Sequence, residues 1–277
     1  MSDRLPALLV PLGSSRPVLG DAAMGTALLR AVEPGTCLEE LSVVRPALVR
    51  DVHLGHLAAG ARLVRTNTFG ASRARLATHE LVDVASINAA AVARAREAIA
   101  ASDRGPVVVA GVLGPGADRE QAEALAAAGV DLFLIETART VAEAGAILSI
   151  ALDLGPVVVS FSPEANGRLA DGAPLGEACR ALPQADGVGL NCGQGARAMV
   201  TSFAELPADR PRFVFPSAGL PTAPSGEPLV WPEAPATFAA AAGRMRGASV
   251  LGGCCGTTAA HLAALGDLLG AATKGDA

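Results

Sequence analysis

Ser249-Val250-Leu251-Gly252-Gly253-Cys254-Cys255-Gly256-Thr257-Thr258 is the passage from which the fold can be read. An apolar run stops at two glycines, two adjacent thiols follow, and an alanine- and leucine-rich amphipathic stretch starts at Thr258 and runs to Leu269. The same strand-turn-helix unit recurs back along the chain. Strand-like runs lie at Val18 to Asp21, Arg62 to Phe69, Val107 to Leu113, Asp131 to Glu136, Val157 to Phe161, Gly187 to Cys192 and Arg212 to Phe215. Helix-like stretches lie at Pro46 to Ala59, Val84 to Ala100, Arg119 to Ala128, Val141 to Leu154, Leu175 to Ala181, Ala196 to Leu206 and Ala234 to Arg246.

Eight such strands alternating with eight helices predict a single (β/α)8 TIM barrel, an α/β fold. The apolar runs are continuous rather than alternating, as parallel strands covered on both faces require. Gly60, Gly129, Gly155 and Gly247 punctuate helix ends. A doubly wound open sheet is the rival, because alternation alone does not prove closure. Residues 1–277 read as one barrel domain with a frayed tail at 270–277, and the proline-rich stretch Pro216 to Pro235 reads as a long loop after the seventh strand.

Composition excludes several classes of function. A net charge of -5 and an aromatic content of 3% argue against a nucleic-acid groove built on charge and stacking. No apolar run approaches the ~20 residues that span a bilayer. Met1 to Leu9 lack the basic start and long apolar stretch of a signal peptide, so a cytoplasmic protein is expected. Five cysteines in such a chain point to metal or catalysis rather than to a disulfide framework.

In a barrel, the C-terminal strand ends converge on one face and carry the chemistry. Here those ends offer Asp21, Thr66-Asn67-Thr68-Phe69, Gly114-Pro115, Glu136-Thr137, Ser160 and Ser162, Asn191-Cys192, Ser217 and Cys254-Cys255. Cys192, Cys254 and Cys255 can therefore bind one soft ion and leave its fourth position free, a catalytic arrangement for Zn2+. Gly252, Gly253 and Gly256 give the backbone freedom to aim both vicinal sulfurs at one point. Cys37 and Cys179 lack such a context and read as structural. His53 and His56, three apart on a helix, read as surface or packing residues; His79 and His261 have no partners in sequence.

The same segments resemble the homocysteine S-methyltransferase family, and within it the homocysteine-binding module of cobalamin-dependent methionine synthase. They are Asp21 to Thr26, Thr66 to Ala71, Gly114-Pro115, Glu136-Thr137, Gly189 to Cys192, Ala218 to Pro221 and Gly252 to Thr258, in the family's order over nearly the whole chain. The resemblance implies a zinc-dependent methyltransferase that makes methionine, with zinc on Cys192, Cys254 and Cys255 and the homocysteine sulfur as fourth ligand. It implies that Glu136 holds the substrate ammonium, that the backbone at Gly25 and Thr26 receives the carboxylate, and that Asp21 and Asn67 shape the pocket. Ser217 stands where the family has an asparagine, next to the vacant metal position.

The chain departs from the family pattern at Ala22, Met24, Ala138, Arg139 and Ser217, and in the short passage between Gly116 and Arg119, where relatives carry a loop that roofs the site. The expected donor is methylcobalamin on a separate corrinoid protein, since one barrel uses the whole chain. A sulfonium donor (S-methylmethionine or S-adenosylmethionine) is the alternative. A betaine-type donor is disfavoured, because a chain with no tyrosine and one tryptophan lacks an aromatic cage. Two further readings stay open: another thiol or selenol as acceptor, and a non-enzymatic zinc or redox subunit of a corrinoid system with Cys37 as a fourth ligand. No nucleic-acid or membrane partner is expected.

Overall fold

Short runs of β-branched and leucine residues become strands where both their faces can be covered. The computed structural model describes residues 4–12, 17–223 and 229–272. Its strands are β1 (Val18–Leu19), β2 (Leu63–Arg65), β3 (Val108–Leu113), β4 (Leu132–Ala138), β5 (Val157–Phe161), β6 (Gly187–Cys192), β7 (Arg212–Pro216) and β8 (Val250–Leu251). Every residue of β2, β3 and β5 is buried, which explains why their sequences do not alternate.

All neighbouring strands are parallel, in the order β1-β8-β7-β6-β5-β4-β3-β2. The first strand pairs with the last, Val18 with Val250 and Leu19 with Leu251, which a doubly wound sheet cannot do. The remaining seam is a parallel bridge between Gly20 and Leu63, beside a hydrogen bond of 2.8 Å from the Arg62 amide to the Leu19 carbonyl. The fold is the expected (β/α)8 barrel.

The helices in chain order are α1 (Arg4–Leu9), α2 (Gly25–Leu28), α3 (Leu41–Val44), α4 (Pro46–Ala58), α5 (Arg73–Ala77), α6 (Val84–Ala100), α7 (Arg119–Ala127), α8 (Val141–Ala151), α9 (Leu175–Arg180), α10 (Ala196–Phe203), α11 (Pro235–Ala242) and α12 (Ala259–Ala272). Side-chain caps set three of their starts: Asp83, Asp118 and Thr140 accept from the amides of Ser86, Gln121 and Glu143. Helices α1, α2, α3 and α5 are additions, too short for periodicity to reveal. The last helix runs to Ala272, into the stretch expected as a tail; residues 273–277 lie outside the described residues. In the long loop after β7, Thr222 and Val230 form an antiparallel bridge, and 224–228 lie outside the described residues.

Leu63, Val108, Leu132, Leu134, Val158, Phe213, Phe215 and Val250 fill the barrel. Leu5 of α1 joins them against Gly187, at the start of β6, and so stops the N-terminal end of the barrel. Each such side chain contributes roughly 1.5–3 kcal/mol when fully buried. Gly189 of β6 is a glycine because a Cβ there would overlap the Phe213 carbonyl of β7. No helix is long and apolar enough to cross a membrane, among the described residues.

Candidate active site

With one end of the barrel stopped, the C-terminal strand ends surround a cavity of about 270 Å³. Asp21, Gly25, Thr26, Asn67, Glu136, Cys192, Cys254 and Cys255 all line it. From the third strand only Val112 contributes, in keeping with the short passage before α7.

The three thiols meet although two strands supply them. Sγ of Cys192 is 3.4 Å from that of Cys254 and 3.3 Å from that of Cys255, and the vicinal pair is 3.9 Å apart. Three corners of a tetrahedron with ~2.3 Å metal–sulfur bonds lie about 3.8 Å from one another, so the donor set fits a zinc-sized ion with one open corner. The sulfurs share protons. Hydrogen bonds from Cys192 and Cys254 push the Cys255 thiol well below its ordinary range, while the same contacts and burial push Cys192 upward.

Backbone pairing holds these sulfurs in place. The Cys254 amide donates to the Pro216 carbonyl at 2.7 Å, and the amides of Ser217 and Ala218 donate to the carbonyls of Cys192 and Cys255, each at 2.9 Å. Thr257 Oγ1 donates to the Cys254 carbonyl at 2.6 Å and accepts from the Ala23 amide at 3.2 Å. Cys192 has φ 59, a left-handed conformation rare outside glycine, and Thr137 across the cavity has φ 62. Asn191 braces that second turn: Oδ1 accepts from the Thr137 amide at 2.9 Å and Nδ2 donates to Thr137 Oγ1 at 2.7 Å.

Several expected residues have their polar atoms turned to the protein. Thr26 Oγ1 accepts from the Gly256 amide at 3.1 Å, which ties it to the thiol loop. Asn67 Nδ2 donates to the Leu38 carbonyl at 2.6 Å and to Ser42 Oγ at 3.2 Å. Ser217 is buried outside the cavity lining, with its hydroxyl donating to the carbonyls of Gly193 and Gly219, both at 3.1 Å. It is not brought to the sulfurs.

The polar centre of the wall is Arg65, which is absent from the residues expected from sequence. Its Nε donates to Asp21 Oδ1 at 2.6 Å and its Nη1 to Glu136 Oε1 at 2.6 Å. Nη2 donates to the carbonyls of Ala22 at 3.1 Å and Gly253 at 2.6 Å, and the guanidinium carbon lies 4.1 Å from the centre of the Phe215 ring. Burial raises the pKa of both carboxylates, Glu136 to about 7, with Arg65 opposing the shift at each. The signal that could have revealed it is a charge inside the apolar run Leu63-Val64-Arg65, where a buried arginine needs buried carboxylates.

The sulfurs of Cys37 and Cys179 stay apart from the cluster. Cys37 lies against Glu39, Sγ to Oε2 3.5 Å, and Cys179 is buried in α9 with its thiol pushed up to about 12. His53 and His56 are packing residues, fully or almost fully buried on α4. Both nitrogens of His53 and Nδ1 of His56 lack hydrogen-bond partners among the described residues.

The family model for homocysteine S-methyltransferase matches residues 18–269. Methionine synthase of Mycobacterium tuberculosis is 30% identical over 92% of this chain, which spans about a quarter of the length of the curated relatives it matches. The homocysteine methyltransferase MmuM from Escherichia coli in its metallated form superposes with a TM-score of 0.80 and 26% identity, covering 96% of this chain and 99% of that one. Its apo form gives a TM-score of 0.71 and 27% identity, covering 95% and 99%.

Proposed function

The chain belongs to the homocysteine S-methyltransferase family, and from that premise we propose that it transfers a methyl group to the sulfur of homocysteine, giving methionine, with zinc held by Cys192, Cys254 and Cys255. The observation that carries this reading is the trio of sulfurs within 3.3–3.9 Å of one another on the wall of the cavity. Bound there, the metal would supply Lewis acidity that keeps an acceptor thiol ionised near neutral pH.

The chain's own residues do the positioning. The strand ends of β6 and β8 hold the sulfurs, while Thr26 and Thr257 fasten the vicinal loop to the first strand end. Apolar side chains, among them Ala22, Ala23, Met24, Leu38 and Val112, make up much of the wall beside the sulfurs. The acceptor sulfur attacks the methyl carbon in line with its leaving group, so the S–C bond forms as the carbon–donor bond breaks. Orientation of the sulfur and the methyl carbon accounts for the rate, and no acid or base is needed at carbon.

The donor we propose is methylcobalamin carried by a separate corrinoid protein and presented at the cavity mouth. Phe69 is the one aromatic lining the cavity among the described residues, which argues against a caged quaternary ammonium. A sulfonium donor (S-methylmethionine or S-adenosylmethionine) is the second reading, since it would need no partner protein.

The test is methionine formation by the reduced, zinc-loaded protein from homocysteine and a panel of methylcobalamin, S-methylmethionine, S-adenosylmethionine and betaine. Product that disappears in Cys254→Ser supports the reading and identifies the donor. Bound zinc without methionine from any donor, with a methyl-corrinoid protein also supplied, overturns it.

A further inference from the structure

Strand β4 carries one residue more than its neighbour at the cavity wall. Ile135 pairs with Val159 and Ala138 with Phe161, so Glu136 and Thr137 together stand opposite Ser160. Such a bulge is uncommon between parallel strands. It takes an amide out of the ladder and re-aims the side chains around it. Thr137 has φ 62 there, a conformation that a β-branched residue keeps only where its surroundings impose it. Asn191, fully buried on β6 two strands away, supplies that constraint. Its Oδ1 accepts from the Thr137 amide at 2.9 Å and from the Ser160 hydroxyl at 2.8 Å, and its Nδ2 donates to Thr137 Oγ1 at 2.7 Å. One side chain thus closes the bulge on both strands. The bulge presents Glu136 to the cavity, with Oε1 on Arg65 and Oε2 without a donor among the described residues.

We infer that Asn191 is a positioning residue for the acceptor: by holding the bulge it fixes the Glu136 carboxylate relative to the sulfurs, so that the thiol and the α-ammonium of one molecule are met together. The inference rests on the thiol-methylation reading above, with Glu136 Oε2 as the ammonium's partner, and adds the residue that aims it. The sulfurs do not depend on this side chain. Cys192 is kept in place by backbone pairing with Pro216 and Ser217, and Cys254 and Cys255 by pairing with Pro216 and Ala218. Asn191 therefore acts on one end of the acceptor only.

The experiment compares homocysteine with 4-mercaptobutyrate, its analogue without the amino group, as ligands of the reduced protein loaded with Co2+ in place of zinc. Thiol binding is read from the sulfur-to-cobalt charge-transfer band, so no donor is needed. The parent is expected to prefer homocysteine by about tenfold or more. Asn191→Leu keeps the volume and removes all three bonds. It should bind homocysteine about tenfold more weakly and 4-mercaptobutyrate within about twofold of the parent, at unchanged cobalt content. Thr137→Val deletes only the Oγ1 bond; it should weaken homocysteine binding about threefold, and it serves if the leucine variant does not fold. Adding Thr137→Gly to Asn191→Leu tests the cause, because glycine holds φ 62 without help. Homocysteine binding should then return to within about threefold of the parent. The inference is overturned by a loss that both thiols share, by a double variant no better than Asn191→Leu, by Thr137→Val binding homocysteine as the parent does, or by a parent that binds the two thiols alike. The thiol-methylation reading survives each of these. If homocysteine leaves the parent's cobalt spectrum unchanged, that reading falls with the inference.

Discussion

Replacing Arg65 by methionine leaves two buried carboxylates facing each other without their cation. The side chain is about as long and its aliphatic packing can be kept, so the change isolates the charge. Asp21 is fully buried and Glu136 is 7% exposed, hence water cannot replace the guanidinium that sits 2.6 Å from each. Breaking a buried pair from one side costs about 3–5 kcal/mol, because the remaining charge is uncompensated. For a chain of 277 residues, an unfolding entropy of ~2.1 cal/mol/K per residue turns that cost into a fall in Tm of roughly 5–9 °C. The assay is calorimetric or circular-dichroism melting of Arg65→Met beside the triple variant Asp21→Asn, Arg65→Met, Glu136→Gln. The triple variant is expected to recover all but about 1–2 kcal/mol, since neutral amides carry no uncompensated charge. The asparagine put in place of Asp21 also keeps a carbonyl oxygen to accept from the backbone amide of position 65, the bond that Oδ2 makes in the parent. A single variant that melts within about 1 °C of the parent, or a triple variant no better than the single, refutes the reasoning.

Gly256→Ala adds a Cβ that would fall inside the Trp231 indole, on a backbone with φ +80. Left-handed strain of about 1–2 kcal/mol plus overpacking of about 1–3 kcal/mol should displace the Cys255 turn, read as zinc content falling below that of the parent; full zinc content at unchanged Tm would contradict the packing. Burial lowers His53 to about 4 and His56 to about 3 from 6.5. Below pH 6.5 the unfolded chain therefore takes up protons that the folded one refuses, and stability, intact above 6.5, declines on acidification by about 1.4 kcal/mol per pH unit for each histidine down toward pH 4. Urea midpoints at about pH 7.5 and pH 5 should thus fall less for His53→Gln/His56→Gln than for the parent, and equal falls would refute the assignment.

The architecture and the thiol trio were legible because both are written locally. A strand buried on both faces needs a continuous apolar run, and a helix behind it needs an apolar stripe; eight repeats of that pair leave few topologies. Cys192 and the Cys254-Cys255 pair stand at the ends of such runs, so the convergence of strand ends brings them together before any contact is known. Closure needed the tertiary structure, for it rests on β1 meeting β8 and on the Gly20–Leu63 bridge. So did the partners of the polar side chains. Asp21 and Arg65 are 44 positions apart, and Arg65 and Glu136 71, and their meeting depends on the stagger of β1, β2 and β4 around the barrel. The direction of the Ser217 hydroxyl, toward backbone carbonyls rather than the sulfurs, belongs to the same class. Periodicity records which face a residue presents, whereas a hydrogen bond depends on where a second chain segment ends within a few tenths of an ångström, and only the packed barrel determines that.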